Sequence, residues 1–143
     1  MKPFATLITI AVVSLALVVT RLFGQQEETI YDNQISVATA TETLYPSVAA
    51  YGRIEGVVVI KVQLADDGRV TSASAITGNG VLIAQCIPDA LRWRFKPNTQ
   101  KQAVIVYNFR LTEKTCDNGL ESRFQRFGEN FVTISACRPP PER

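Results

Sequence analysis

From Ile54 to Leu64 apolar residues return at every second position. Ile54, Val58, Ile60, Val62 and Leu64 share a face with Gly56, while Glu55, Lys61 and Gln63 lie on the other. Only an extended chain sends alternate residues to one side, and an apolar face opposite a charged one describes an antiparallel strand packed on a single side. Asp66-Asp67-Gly68 follows as a hairpin signal, with Gly68 able to take positive φ. Arg69 to Thr77 then returns as the second strand.

Beyond that hairpin the period changes. Gly78-Asn79-Gly80 closes the strand and launches a helix, along which Leu82, Cys86, Ala90 and Trp93 recur at spacings of four, four and three. Such spacing lays one apolar stripe across the sheet. Pro88 removes one backbone hydrogen bond from that helix and predicts a kink, or two short helices meeting near Ile87. Pro97 ends the segment, and Ala103 to Leu111, rich in Val, Ile and aromatics, reads as a third strand. Upstream, Tyr45-Pro46 before Ser47-Val48-Ala49-Ala50 predicts a single helical turn started by proline. Downstream, Arg123 to Phe127, a turn at Gly128-Glu129-Asn130, and Phe131 to Ala136 predict a hairpin, closed off by Pro139, Pro140 and Pro141. No internal repeat is visible.

Tyr45-Pro46 with Ala49, Glu55-Gly56-Val57-Val58-Val59, Asp67-Gly68-Arg69-Val70 and Trp93-Arg94-Phe95-Lys96-Pro97 succeed one another in an order and spacing that resembles the TonB C-terminal domain family of bacterial envelope proteins. The resemblance spans about residues 44–112. It implies a two-layer α+β fold, a three-stranded antiparallel sheet with one helix across it, to which the residues after 112 add a C-terminal β-hairpin extension. Within it Tyr45, Pro46, Gly56, Asp67, Gly68, Trp93, Phe95 and Pro97 read as structural positions: turns, core and a stop. The family recognises its partner at the last strand of the sheet, where a short extended segment of an outer-membrane transporter adds as one more strand. Here that strand matches Ala103, Val104, Ile105, Val106, Tyr107, Asn108 and Phe109. An exposed edge of this kind offers unpaired N–H and C=O groups, and alternate side chains select what fits beside them.

The N-terminal part of the chain points to export. Phe4 to Thr20 is seventeen residues without a charge, with Lys2 before it and Arg21 after it. It reads either as a signal peptide cleaved after Gly24 or as a single membrane anchor, so any membrane contact runs through residues 4–20 when they are retained. Residues 1–24 are thus leader or anchor, 25–43 a polar lead-in, 44–112 the family-like domain and 113–143 the extension. Export places the domain in the periplasm or cell envelope. There Cys116 and Cys137 are expected to pair, leaving Cys86 on the apolar side of the helix.

Composition excludes several classes of function. The sequence holds no histidine, which rules out a Ser/His/Asp triad, a Cys/His dyad and an HExxH zinc site. No CxxC pair is present either, so neither a metal nor another cofactor is expected. Lys2 and Arg21 carry the whole formal excess of +2, so residues 25–143 are neutral and offer a nucleic acid no basic stripe. Asp66 and Asp67 are adjacent in a turn and point apart, which makes them a poor paired-carboxylate site, and Cys86 lacks a histidine to activate it.

The expected function is therefore a non-enzymatic module that binds an envelope protein or extended peptide by strand addition. The alternative is a membrane-anchored energy transducer acting in outer-membrane transport. Against that alternative, the lead-in from Gln25 to Tyr45 reaches only about 70 Å at full stretch. The apolar run also lacks the histidine that couples such proteins to a proton-driven motor. Finally, Phe131 to Ala136 can cover the edge of Ala103 to Leu111 and block it, with a Cys116–Cys137 bridge to pin the cover.

Overall fold

The computed structural model describes residues 35–141. The apolar run Phe4–Thr20 and the expected cleavage after Gly24 lie outside the described residues. Among the described residues no helix is long and apolar enough to cross a membrane. In chain order the elements are β1 (Val37–Thr39), α1 (Ser47–Tyr51), β2 (Gly56–Leu64), β3 (Val70–Thr77), α2 (Gly80–Ala90), β4 (Arg94–Phe95), β5 (Gln102–Thr115), β6 (Ser122–Phe127) and β7 (Phe131–Arg138).

Five of the strands form one mixed sheet in the order β3-β2-β5-β7-β6. This corrects the expected three-stranded antiparallel sheet: the C-terminal hairpin extension supplies two further strands of the same sheet. β2 pairs antiparallel with β3 and with β5, as the alternation predicts, but β5 pairs parallel with β7. The chain leaves β5, skips one strand position to lay down β6, and returns as β7 in the slot between them. Composition explains the placement. β7 sends Val132, Ile134 and Ala136 into the core, whereas β6 is Ser-Arg-Phe-Gln-Arg-Phe and is half-buried at most. A strand with three buried apolar residues belongs inside a sheet, and a polar one belongs at its edge.

The core lies between one face of this sheet and the helices. Val58, Ile60 and Val62 from β2, Ala103, Ile105, Tyr107 and Phe109 from β5, and Val132 and Ile134 from β7 meet Leu82, Cys86 and Ala90 of α2, with Trp93 just beyond its end. The helical stripe read from the sequence is thus the buried face of α2. Asn79 caps that helix by accepting a hydrogen bond from the Val81 N–H at 2.9 Å. Pro88 does not divide it: α2 is one helix, and the expected break near Ile87 is absent. The proline sits in its last turn, where few backbone bonds remain to be lost, and the Leu91 N–H still reaches Ile87 O at 3.2 Å.

One further pairing was not expected. β1, inside the stretch read as lead-in, forms a two-stranded antiparallel sheet with β4. Ordered structure therefore begins upstream of Tyr45.

Candidate functional site

β5 is bounded on both sides. β2 pairs with it from Gln102 to Phe109, and β7 pairs with it from Val106 to Leu111, with a last contact between Thr115 and Arg138. The parallel ladder is extended at its start by Asn130. Its backbone oxygen accepts from the Val106 N–H at 2.9 Å, and its side-chain amide donates to Val104 O at 2.8 Å. Of the positions expected at a recognition edge, Ala103, Ile105, Tyr107 and Phe109 point into the core, and Val104, Val106 and Asn108 lie half-buried on the opposite face. From Val106 to Phe109 the edge is taken by β7, and a strand could add there only by displacing it; upstream, Val104 O meets the Asn130 side chain.

Three features hold β7 in that place. Val132 and Ile134 are fully buried, and burial of such side chains contributes about 1.5–3 kcal/mol each. The expected disulfide joins Cys116 to Cys137 with Cα atoms 5.1 Å apart and a sequence separation of 21, a loop whose closure contributes about 3 kcal/mol. The N-terminal strap adds two hydrogen bonds. The Tyr45 N–H donates to Ser122 Oγ at 2.9 Å, and the Val37 N–H donates to Glu129 Oε2 at 2.6 Å.

The family-like motif residues sit in structural roles. The Tyr45 hydroxyl donates to Ile54 O at 2.7 Å, and its ring meets Phe109 edge-on at 5.3 Å. Burial, and then the negative charge of Glu55, pushes that hydroxyl up to about 12. Pro46 precedes α1, and Gly56 opens β2 with φ +138°. Asp67 Oδ1 accepts from the Arg69 N–H at 3.0 Å and so closes the turn. Gly68 has φ +83°, and a Cβ placed there would lie 1.9 Å from Phe95 O. Trp93 is fully buried between Phe95 and Tyr107, and Pro97 follows β4 on the surface.

The candidate catalytic groups are dispersed. Asp66 is exposed and pairs with Lys101 at 2.7 Å, and that hydrogen bond and charge hold its carboxyl below the usual range. Cys86 is fully buried, and burial followed by the charge of Asp89 pushes its thiol up to about 12. Asp89 is itself buried and held by Gln85 and Arg92. A polar groove lies beside the β5 tail, lined by Thr112, Lys114, Glu121, Arg123, Gln125 and Ser135. Its only ion pair, among the described residues, joins Lys114 to Glu121 at 3.2 Å.

Among the described residues two edges of the large sheet have no strand beside them, and neither was predicted. β6 is the shorter. It carries Arg123 and Arg126, and the strap crosses its start at Ser122. β3 is eight residues long, exposed at all but Val70 and Ala73, and holds no charge and no proline. The signal for it was present in the sequence as Val-Thr-Ser-Ala-Ser-Ala-Ile-Thr, a strand without the charges that usually blunt an edge.

Residues 41–111 match the family model described as the Gram-negative bacterial TonB protein C-terminal. No curated protein and no solved structure matches the chain.

Proposed function

Because residues 41–111 belong to the TonB C-terminal family, a domain of Gram-negative envelope proteins that engages other envelope proteins, we propose that this chain is an exported, non-enzymatic binding module. It takes an extended segment of another envelope protein as an added strand on an open edge of its own sheet. The observation that carries this reading is the occupation of β5 by β7, locked by the Cys116–Cys137 bridge. The family's usual edge is filled from within, while among the described residues the outer edges of β3 and β6 carry no further strand. A receptor segment adding to β5, as in the energy-transducing members, would compete with core-forming residues of the chain itself. That disfavours energy transduction. A binding role also fits the thiol and carboxylates, since the one free thiol among the described residues is buried and held protonated.

Photo-crosslinking in cells tests it. A photoreactive residue at Ser74 on β3 or Gln125 on β6 should trap a discrete envelope protein, and one at the buried Ile105 should trap none. Absence of a trapped protein at both edges, with the disulfide formed, would overturn the proposal.

A further inference from the structure

Arg69 and Arg94 face each other across two strands. They form an isolated antiparallel bridge at the start of β3, and the Phe95 N–H donates to Gly68 O at 3.0 Å one residue to the side. That bond makes the arginines a non-hydrogen-bonded pair, the type whose side chains come closest. Their neighbours Val70, Trp93 and Phe95 are buried, so both guanidinium groups project outward. Like charges placed directly opposite destabilise a sheet, and among the described residues no ion pair neutralises them. The ion pairs among the described residues are Arg92–Asp89, Lys101–Asp66 and Lys114–Glu121, and none includes Arg69, Arg94 or Lys96. The juxtaposition is built in by Gly68, because only a residue without a Cβ lets the β4 backbone lie against the hairpin turn.

This cationic pair stands at one end of the open β3 edge. β4 covers the edge at Arg69, and from Thr71 to Thr77 the outer backbone has no neighbour among the described residues. A strand adding to β3 would run along uncharged, small side chains and end against two unpaired arginines. We infer that the β3 edge is the recognition edge, and that its occupant is an extended protein segment whose end nearest Arg69 carries carboxylates. This rests on the strand-addition reading and deepens it by choosing the edge and the chemistry of the partner. β6 is the weaker choice, since its own arginines lie along the strand and the Tyr45 strap closes one end.

The test uses the full chain in its disulfide form and a fluorescently labelled eight-residue peptide of alternating Val and Thr ending in two Glu residues. A matched peptide ending in two Lys residues is the control. Two exposed ion pairs of ordinary strength together amount to about tenfold in affinity. Anisotropy should therefore show the acidic peptide binding about tenfold tighter, with the difference shrinking as salt rises. The double variant Arg69→Glu/Arg94→Glu should reverse the order, and a photoreactive residue at Ser74 should capture the peptide. The single variant Arg94→Gln should lower the acidic preference without touching the turn. Equal affinity for both peptides, or an unchanged order after charge reversal in a chain whose circular dichroism is unaltered, would overturn the inference. Capture at Gln125 instead of Ser74 would also overturn it while leaving the strand-addition reading intact. Loss of envelope-protein capture at both positions is the separate failure of that reading.

Discussion

The two sides of β5 are built by different means. On one side β2 reaches it antiparallel, through an eight-residue register of alternating core and surface positions. On the other side β7 reaches it parallel, through fewer register positions, a break after Leu111 and a disulfide beyond the break. Parallel pairing is slightly weaker per residue, and this ladder is interrupted between Leu111 and Thr115. The difference teaches where a small sheet needs a covalent tie: along the added half, where neither hairpin geometry nor continuous register holds the strand. It also makes β5 a central strand, with β2 on one side and β7 on the other.

The largest expected effects decide whether β7 is a true part of the core or a removable cover. Ile60 on β2 and Ile134 on β7 are both fully buried. If both sides of β5 are equally core, Ile60→Ala and Ile134→Ala should each cost about 2–5 kcal/mol in urea denaturation. A cost at Ile134 below about 1 kcal/mol would mark β7 as a cover only. Next in size is the tie itself. Cys116→Ser/Cys137→Ser should lower stability by up to about 3 kcal/mol, yet slow amide exchange at Val106 should persist, since Val132 and Ile134 still bury. Fast exchange at Val106 in that variant would show that the bridge alone holds the strand.

At the scale of single hydrogen bonds the two regions again make parallel cases. Asn79 caps α2 over the β2–β3 side, and Glu129 holds the Val37 N–H from the β6–β7 turn. Asn79→Ala should cost about 1 kcal/mol as a lost cap, and Glu129→Ala a similar amount as a lost charge-assisted bond. The second variant should in addition speed exchange of the Val37 amide, which the first should leave alone. Equal exchange at Val37 in both would remove the strap from the account of what holds the hairpin.

Much of the first half was legible in the sequence because its signals are local. The alternation from Ile54 to Leu64, the Asp67-Gly68 turn, the helical stripe through Cys86 and the Trp93 block each depend on neighbours within a few residues. All of them stand where expected. The hairpin β6–β7 was legible too, and so was the possibility that Phe131–Ala136 covers Ala103–Leu111, but not that it does so in parallel with β6 outermost. Whether Phe131–Ala136 lies beyond β6 or between β6 and β5 is a question of which strand buries more, and the clue was the run of Val132, Ile134 and Ala136 against the arginines of β6. The open edges were hidden for a related reason, since an edge is defined by an absent neighbour, and that is a property of the whole topology. The Arg69–Arg94 pair lies 25 positions apart in sequence and meets only because β4 crosses a glycine turn.

The smallest effect concerns the cysteine that takes no part in the tie. Cys86 is buried under α2 with its thiol pushed up to about 12, and Tyr45 is likewise raised to about 12. Both groups keep their protons longer in the folded chain than in the unfolded one. The stability they contribute is therefore fully present below the ordinary thiol value near 9 and is lost as pH rises toward 12. The urea midpoint should stay level through neutral pH and fall above pH 9, and in Cys86→Ala it should fall less steeply over the first part of that range. Throughout neutral pH the native chain should resist alkylation at Cys86, and unfolding should release one reactive thiol without reduction. Rapid labelling of the folded protein would instead mean that the β2–α2 side opens more readily than the disulfide-tied side. The comparison would then be inverted, with the family-like half the looser of the two.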